Sequence, residues 1–157
     1  MTKVIEPSLR SGIVVLTDRF SDSTVAYQGF ARGLDLKHIY YMTDVATKGL
    51  KPDLTLLLDM DPEDALKRLG SLQMELSTEC DPKWPKGRLD NQDQRKFEEQ
   101  GLDFHRRVRK GYLDLSKEET MRWCVIEAEK EPDVIAKDIW NSVNPLLKES
   151  AAQTSNS

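Results

Sequence analysis

An α/β architecture built on a parallel sheet is the fold class this sequence predicts, and three features predict it. Short apolar runs with little alternation occur at Ile13 to Leu16, Leu54 to Leu58 and Trp123 to Ala128, the pattern of strands covered on both faces. Segments of helical periodicity separate them. Charged residues follow the first two runs directly, as Asp18 and Arg19 and as Asp59 and Asp61. Ligands of open α/β sheets bind beyond the carboxyl ends of the strands, so Asp18 and Arg19 are site candidates. Their structural alternative is an aspartate capping the next helix with an arginine paired to it.

Composition bounds the class. The chain has 157 residues, 38% hydrophobic and 32% charged, with a formal net charge of −4, which suits one ordinary domain in the cytoplasm. The mildly acidic balance carries no nucleic-acid footprint, although local basic clusters leave room for a small anionic ligand. Cys80 and Cys124 stand apart, with no CxxC and no paired histidine; zinc spacings and a disulfide framework are both excluded. No apolar run approaches the roughly 20 residues of a membrane span, and no signal-peptide core is present.

Taken in order, residues 2–11 place Val4, Ile5 and Leu9 on one helical face and stop at Ser11-Gly12. After the first strand a helix is expected from Ser21 to Gln28, capped by Ser21, Asp22 or Ser23 and broken over Gly29–Gly33. Leu36 to Lys48 forms an amphipathic helix ended by Gly49, and Pro52 starts the second strand. Pro62 opens a further helix, EDALKRL. From Gly70 to Gln92 periodicity is lost, and a long functional or solvated loop, or a broken helical hairpin, is expected. A charged helix follows from Asp93 to Lys117, interrupted at Gly101 and Gly111, with Phe97, Leu102, Phe104, Val108, Tyr112, Leu113 and Leu115 inside. Its cations Arg106, Arg107, Arg109 and Lys110 cannot all face one way on a helix turning about 100° per residue. The third strand is Trp123 to Ala128. A final helix from Pro132 to Lys148 buries Val134, Ile135, Ile139, Trp140, Val143 and Leu147, and a disordered tail takes up residues 150–157. His38 and His105 read as surface or packing residues.

The string LTDRFSDSTVAYQGFARGL, followed by PDLTLLLDMDPEDALKR, FHRRVRKGYLDL and VIEAEKEPDVIAKDIW, resembles the thymidylate kinase family of nucleoside monophosphate kinases, in the family's order over nearly all of residues 2–147. The resemblance implies a P-loop-kinase-type three-layer α/β fold, of which this chain carries the third, fourth and fifth strands and a lid at about residues 68–96, all within one domain at 1–149. It implies that Arg19 holds the acceptor phosphate of thymidine monophosphate and that Asp18 organises the metal-water and phosphate region. Thr24, Tyr27 and Gln28, spaced to share a helix face, would contact the thymine and the sugar, with Tyr27 crowding the place of a ribose 2′-hydroxyl. Arg107 and Tyr112 match positions near the phosphate and nucleoside, and Arg88, in GRLD, matches a lid arginine over the donor. ATP and Mg²⁺ are the implied co-substrate and cofactor, and a homodimer formed through helices such as Leu36–Lys48 is the implied assembly.

A phosphate oxygen is already an adequate nucleophile, so such a transfer needs alignment and charge neutralisation, which arginines supply without a catalytic histidine. The P-loop pattern GxxxxGKS/T does not occur in the sequence, and neither does any Gly-Lys pair. The family's Arg-Glu-Pro segment and two of its strands are absent too, one of which lies between the first two strands found here. The sequence therefore reads as the acceptor-and-lid portion of a kinase, poorly stable and weakly active or inactive alone. The alternatives are a catalytically dead thymidylate-binding or regulatory module and one half of a split kinase.

Overall fold

The computed structural model describes residues 3–68 and 101–154. The expected loop at 70–92, the candidate Arg88 and the stretch expected as helix from Asp93 to Gln100 lie outside the described residues. Helix α1 is Ile5–Arg10, and α2, Ser21–Thr24, runs straight into a π-helical segment, Val25–Ala31. Helix α3 is Leu36–Thr47, strand β1 Thr55–Asp59 and helix α4 residues 62–68. Helix α5 is Leu102–Glu118, strand β2 Trp123–Glu127 and helix α6 Pro132–Thr154.

The two strands pair in parallel, Thr55 opposite Trp123 through Asp59 opposite Glu127. Because side chains alternate across a strand, β2 sends Trp123 one way and Cys124 the other. Trp123 joins Val25, Ala26, Ile39 and Leu115 in the main core, with Leu57 packed against it. Cys124 Sγ lies 3.1 Å from Ser142 Oγ of α6. Helices therefore cover both faces: the α2–π segment, α3 and α5 on one, α6 on the other.

The first expected strand does not form. Residues 13–17 take no regular structure, and Ile13, Val14 and Leu16 are 57%, 69% and 93% exposed rather than buried. A strand exists through its ladder partners, and no described residue pairs with this segment. Leu58 and Val125 are also exposed, because a two-stranded ladder gives its outer positions few neighbours. For the same reason α6 half-buries Ile135, Ile139, Val143 and Leu147 toward β2 but leaves Val134 and Trp140 exposed. The helix itself continues past Lys148, where it was expected to end, to Thr154; residues such as Ala151, Ala152 and Gln153 favour helix.

Two glycines expected to break helices instead let them approach. A Cβ on Gly29 would overlap Leu36 Cδ2, and one on Gly111 would come within 2.7 Å of Phe30 Cβ. The helix carrying Gly29 ends only at Ala31, after which Gly33 takes the left-handed φ of 75°. Of the two interruptions expected in α5, Gly101 is its N-cap, with φ of 72°, whereas Gly111 sits in its interior. Phe30 Cβ is tied to backbone and cannot swing aside. Gly111→Ala therefore loses about 1–2 kcal/mol net of its better helix propensity, read as a lower midpoint in urea unfolding.

Elsewhere the local rules hold. Asp35 Oδ1 accepts from the Lys37 N–H at 2.8 Å and caps α3, which ends at Lys48 in the left-handed conformation, followed by Gly49. Asp61 Oδ1 does the same for Glu63 at 2.9 Å, with Pro62 in the first turn of α4. Among the described residues no helix is long and apolar enough to cross a membrane.

Candidate functional site

The site grows from the loop that joins the apolar segment at 13–17 to α2. Arg19 has a φ of 69°, a left-handed conformation that costs a non-glycine residue about 1–2 kcal/mol. Its guanidinium carbon stands 5.3 Å from the centroid of the Tyr27 ring, within cation–π range. Tyr27 in turn meets Phe104 edge-to-face at 6.0 Å and Tyr112 at 6.4 Å. The Tyr112 hydroxyl donates to Ser23 Oγ at 2.7 Å, and burial raises its pKa, so at neutral pH it keeps the proton that this bond uses. Arg19, Tyr27 and Tyr112 are thus one constellation. Its second wall is α5, which crosses the π segment at Gly111.

The other expected residues are arranged more loosely. Arg107 Nε donates to the Ala31 carbonyl at 2.9 Å, satisfying a group at the end of the π segment. Gln28 Oε1 accepts from Arg32 at 3.1 Å. Thr24 is exposed, and Asp18 is exposed with no described residue paired to it. Neither Asp18 nor Arg19 follows the structural alternative. Phe20 is the N-cap of α2, with no side-chain cap from Ser21, Asp22 or Ser23, and Arg19 lies on Tyr27 rather than on Asp18.

Two ion-pair systems beside the site were not anticipated. Arg109 grips Asp59 with Nε at 2.8 Å and Nη2 at 2.9 Å, and reaches Asp61 with Nη1 at 2.8 Å. The acids at the end of β1 are therefore engaged by α5. The aspartates were visible at the carboxyl end of the second apolar run, but only the fold says which cation meets them. Arg122 holds Asp22 bidentately, at 2.7 and 2.9 Å, and also bonds Thr55 and Glu119. The four clustered cations of α5 go four ways: Arg106 to Asp103 and Glu63, Arg107 to Ala31, Arg109 to the β1 acids and Lys110 to Asp114. His38 pairs with Asp35 at the surface, and His105 packs edge-to-face on Phe104.

Hydrogen bonds from Lys51 and then Arg122 lower the Glu119 pKa in the folded chain. A depressed carboxylate stabilises the fold above its unfolded pKa, about 4.3, and loses that contribution as pH falls through the folded value. Glu119→Gln therefore flattens the acid limb of the melting temperature against pH between roughly 3 and 5, with little change at pH 7 in that dependence.

A solved structure matches the chain with a TM-score of 0.51 and 30% identity, covering 80% of this chain and 49% of its own; it is the crystal structure of thymidylate kinase from Ehrlichia chaffeensis. The parallel sheet with helices on both faces is thereby a P-loop-kinase-type α/β fold. The profile of the thymidylate kinase family matches residues 1–83. Thymidylate kinase of Solidesulfovibrio magneticus is 41% identical over 147 residues, 94% of this chain and 65% of that relative. Thymidylate kinase of Desulfovibrio desulfuricans is 40% identical over 148 residues, 94% of this chain and 63% of that relative. The chain belongs to the thymidylate kinase family. It spans somewhat less than two thirds of the length of these relatives.

Proposed function

We propose that this chain carries the acceptor site of an enzyme that transfers the terminal phosphoryl group of ATP to thymidine monophosphate, giving thymidine diphosphate and ADP. The observation that carries the reading is the Arg19–Tyr27–Tyr112 constellation, found in a chain about 40% identical to thymidylate kinases. Arg19 would take the acceptor phosphate through its two-pronged guanidinium, and the strained loop is the kind of conformation kept at binding sites. Tyr27, braced by Phe104 and Tyr112, would hold the sugar and reject a 2′-hydroxyl. Thr24 and Gln28 would meet the base, and Arg107 would add charge near the phosphate. Arg88 is proposed for the donor side.

Among the described residues no three histidine, cysteine or carboxylate groups gather as a metal site. Mg²⁺ commonly takes one or two carboxylates beside substrate phosphates and keeps several waters, so Asp18 alone suits it. The ion, arriving with ATP, would neutralise phosphate charge. The protein's own part is alignment: a fixed guanidinium, an aromatic wall and exclusion of water from the transferred group. We place the reaction in the cytoplasm and the domain at residues 1–149. A homodimer through α3, whose Tyr41 and Met42 are 71% and 65% exposed, is the proposed assembly; sedimentation velocity measures it.

Thymidine monophosphate binding is proposed as a property of this chain, and transfer from ATP as requiring a P-loop that its sequence does not contain. Calorimetric titration with thymidine monophosphate tests the first part, with uridine monophosphate as the discriminated control. A coupled ADP-release assay with ATP and magnesium, on this chain and on one joined to a P-loop segment, tests the second. Binding without turnover in both forms would favour a thymidylate-binding module. Turnover by this chain alone would overturn the P-loop requirement, and no binding would overturn the acceptor-site reading.

A further inference from the structure

We propose that Arg122 is a positioning residue for the acceptor helix, acting through Asp22; the inference rests on reading this region as a thymidine monophosphate site, and deepens it. The start of α2 has little to hold it. Phe20 provides no side-chain cap, and the preceding Arg19 sits in a left-handed conformation. Among the described residues only two side-chain hydrogen-bonded links reach the first turn from elsewhere: Tyr112 to Ser23, and Arg122 to Asp22. The second joins the helix to the sheet.

Arg122 is tied to the sheet through its backbone carbonyl and through the residue that follows it. Its carbonyl accepts from the Thr55 N–H at 2.7 Å, at the first residue of β1, and Trp123 after it begins β2. Its side chain uses the whole guanidinium. Both Nη atoms bind Asp22, at 2.9 and 2.7 Å, Nη1 also donates to Thr55 Oγ1 at 3.0 Å, and Nε donates to Glu119. The guanidinium carbon lies 5.1 Å from the Trp123 ring centroid. The Arg122 and Asp22 side chains are only 12% and 13% exposed. A lysine could supply the charge but not this fork, which fixes direction as well as distance. Three residues before Asp22 is Arg19, and five residues after it is Tyr27. The carboxylate is therefore the point at which the sheet sets the height and rotation of both.

The test uses the 157-residue chain with Asp22→Asn, Arg122→Lys, Arg122→Gln and the double variant D22N/R122Q. Amide hydrogen exchange, read by mass spectrometry, reports order locally. The expected result is at least a tenfold rise in exchange over residues 18–28 in each single variant, with β2 and α6 unchanged. The double variant should be no worse than R122Q, because each partner acts through the other. Calorimetry should show thymidine monophosphate binding weakened about tenfold to a hundredfold in R122K despite the retained charge. Unchanged exchange at 18–28, or a rise spread over the whole chain, overturns the inference, as does altered exchange with unchanged affinity. If the unaltered chain binds no thymidine monophosphate, the acceptor-site reading fails, and the exchange pattern still decides whether Arg122 positions the helix.

Discussion

Arg19→Met abolishes most thymidine monophosphate binding while leaving the chain folded. A guanidinium making two charge-assisted hydrogen bonds to a phosphate contributes roughly 3–5 kcal/mol, so affinity falls by a factor of roughly a hundred to several thousand. Arg19→Lys recovers only part of it, since the ammonium cannot present the same planar fork. Arg19→Gly separates site from scaffold. Glycine relieves the left-handed strain at φ 69°, while the contact to Tyr27 is lost; the two offset, and stability moves by less than about 1 kcal/mol. Isothermal titration and urea unfolding on the same preparations check this. A binding loss matched by equal destabilisation would place Arg19 in the scaffold instead.

Trp123→Ala is the largest stability loss expected from a single core truncation. Trp123 is 8% exposed in the cluster that joins the sheet to the helical layer, and it carries the Arg122 guanidinium on its face. Removing such a ring costs about 3–5 kcal/mol, a large share of the roughly 5–15 kcal/mol that holds an ordinary domain together. Trp123→Phe should cost far less, within about 1.5 kcal/mol. The indole Nε1 is buried without a partner among the described residues, so the smaller ring sheds an unsatisfied donor as well as volume. The difference between the two midpoints in urea is the quantity to measure. Equal losses would mean that the indole edge matters more than the ring's bulk.

The readings that succeeded depended on local rules. Pro62 and the Gly49 stop each act within a few residues, so the end of α3 and the start of α4 were legible, whereas the Asp35 cap came only with the structure. Strand pairing is not local. Leu54 to Leu58 and Trp123 to Ala128 found each other, whereas the equally apolar Ile13 to Leu16 has no partner among the described residues and remains exposed. Apolar content announces a wish to be covered and is silent on what covers it. Gly29 and Gly111 were read as breaks because their usual backbone freedom is a stronger prior than close packing, which only the facing Leu36 and Phe30 reveal. At the candidate site, Asp18 and Arg19 stood out by their place after an apolar run, and Thr24, Tyr27, Gln28, Arg107 and Tyr112 through a resemblance. Arg122 gave no such signal: it lies a hundred residues from Asp22, outside every motif.

The π-helical segment Val25–Ala31 has a consequence for how this helix can change over time. A π turn closes its hydrogen bonds one residue further on than an α turn, so it behaves as an α-helix into which one residue has been inserted. Removing one residue there would let the ladder return to ordinary α spacing while both flanks keep their phase, whereas the same loss from an α stretch would rotate one flank by about 100° against the other. Asp18 to Thr24 would still face the turn that Gly29 and Phe30 pack against α3 and α5, and the shift would fall on Tyr27 and Gln28 inside the segment. The bulge therefore lets this stretch shorten by one residue at the cost of re-aiming its own side chains, without turning the whole loop away.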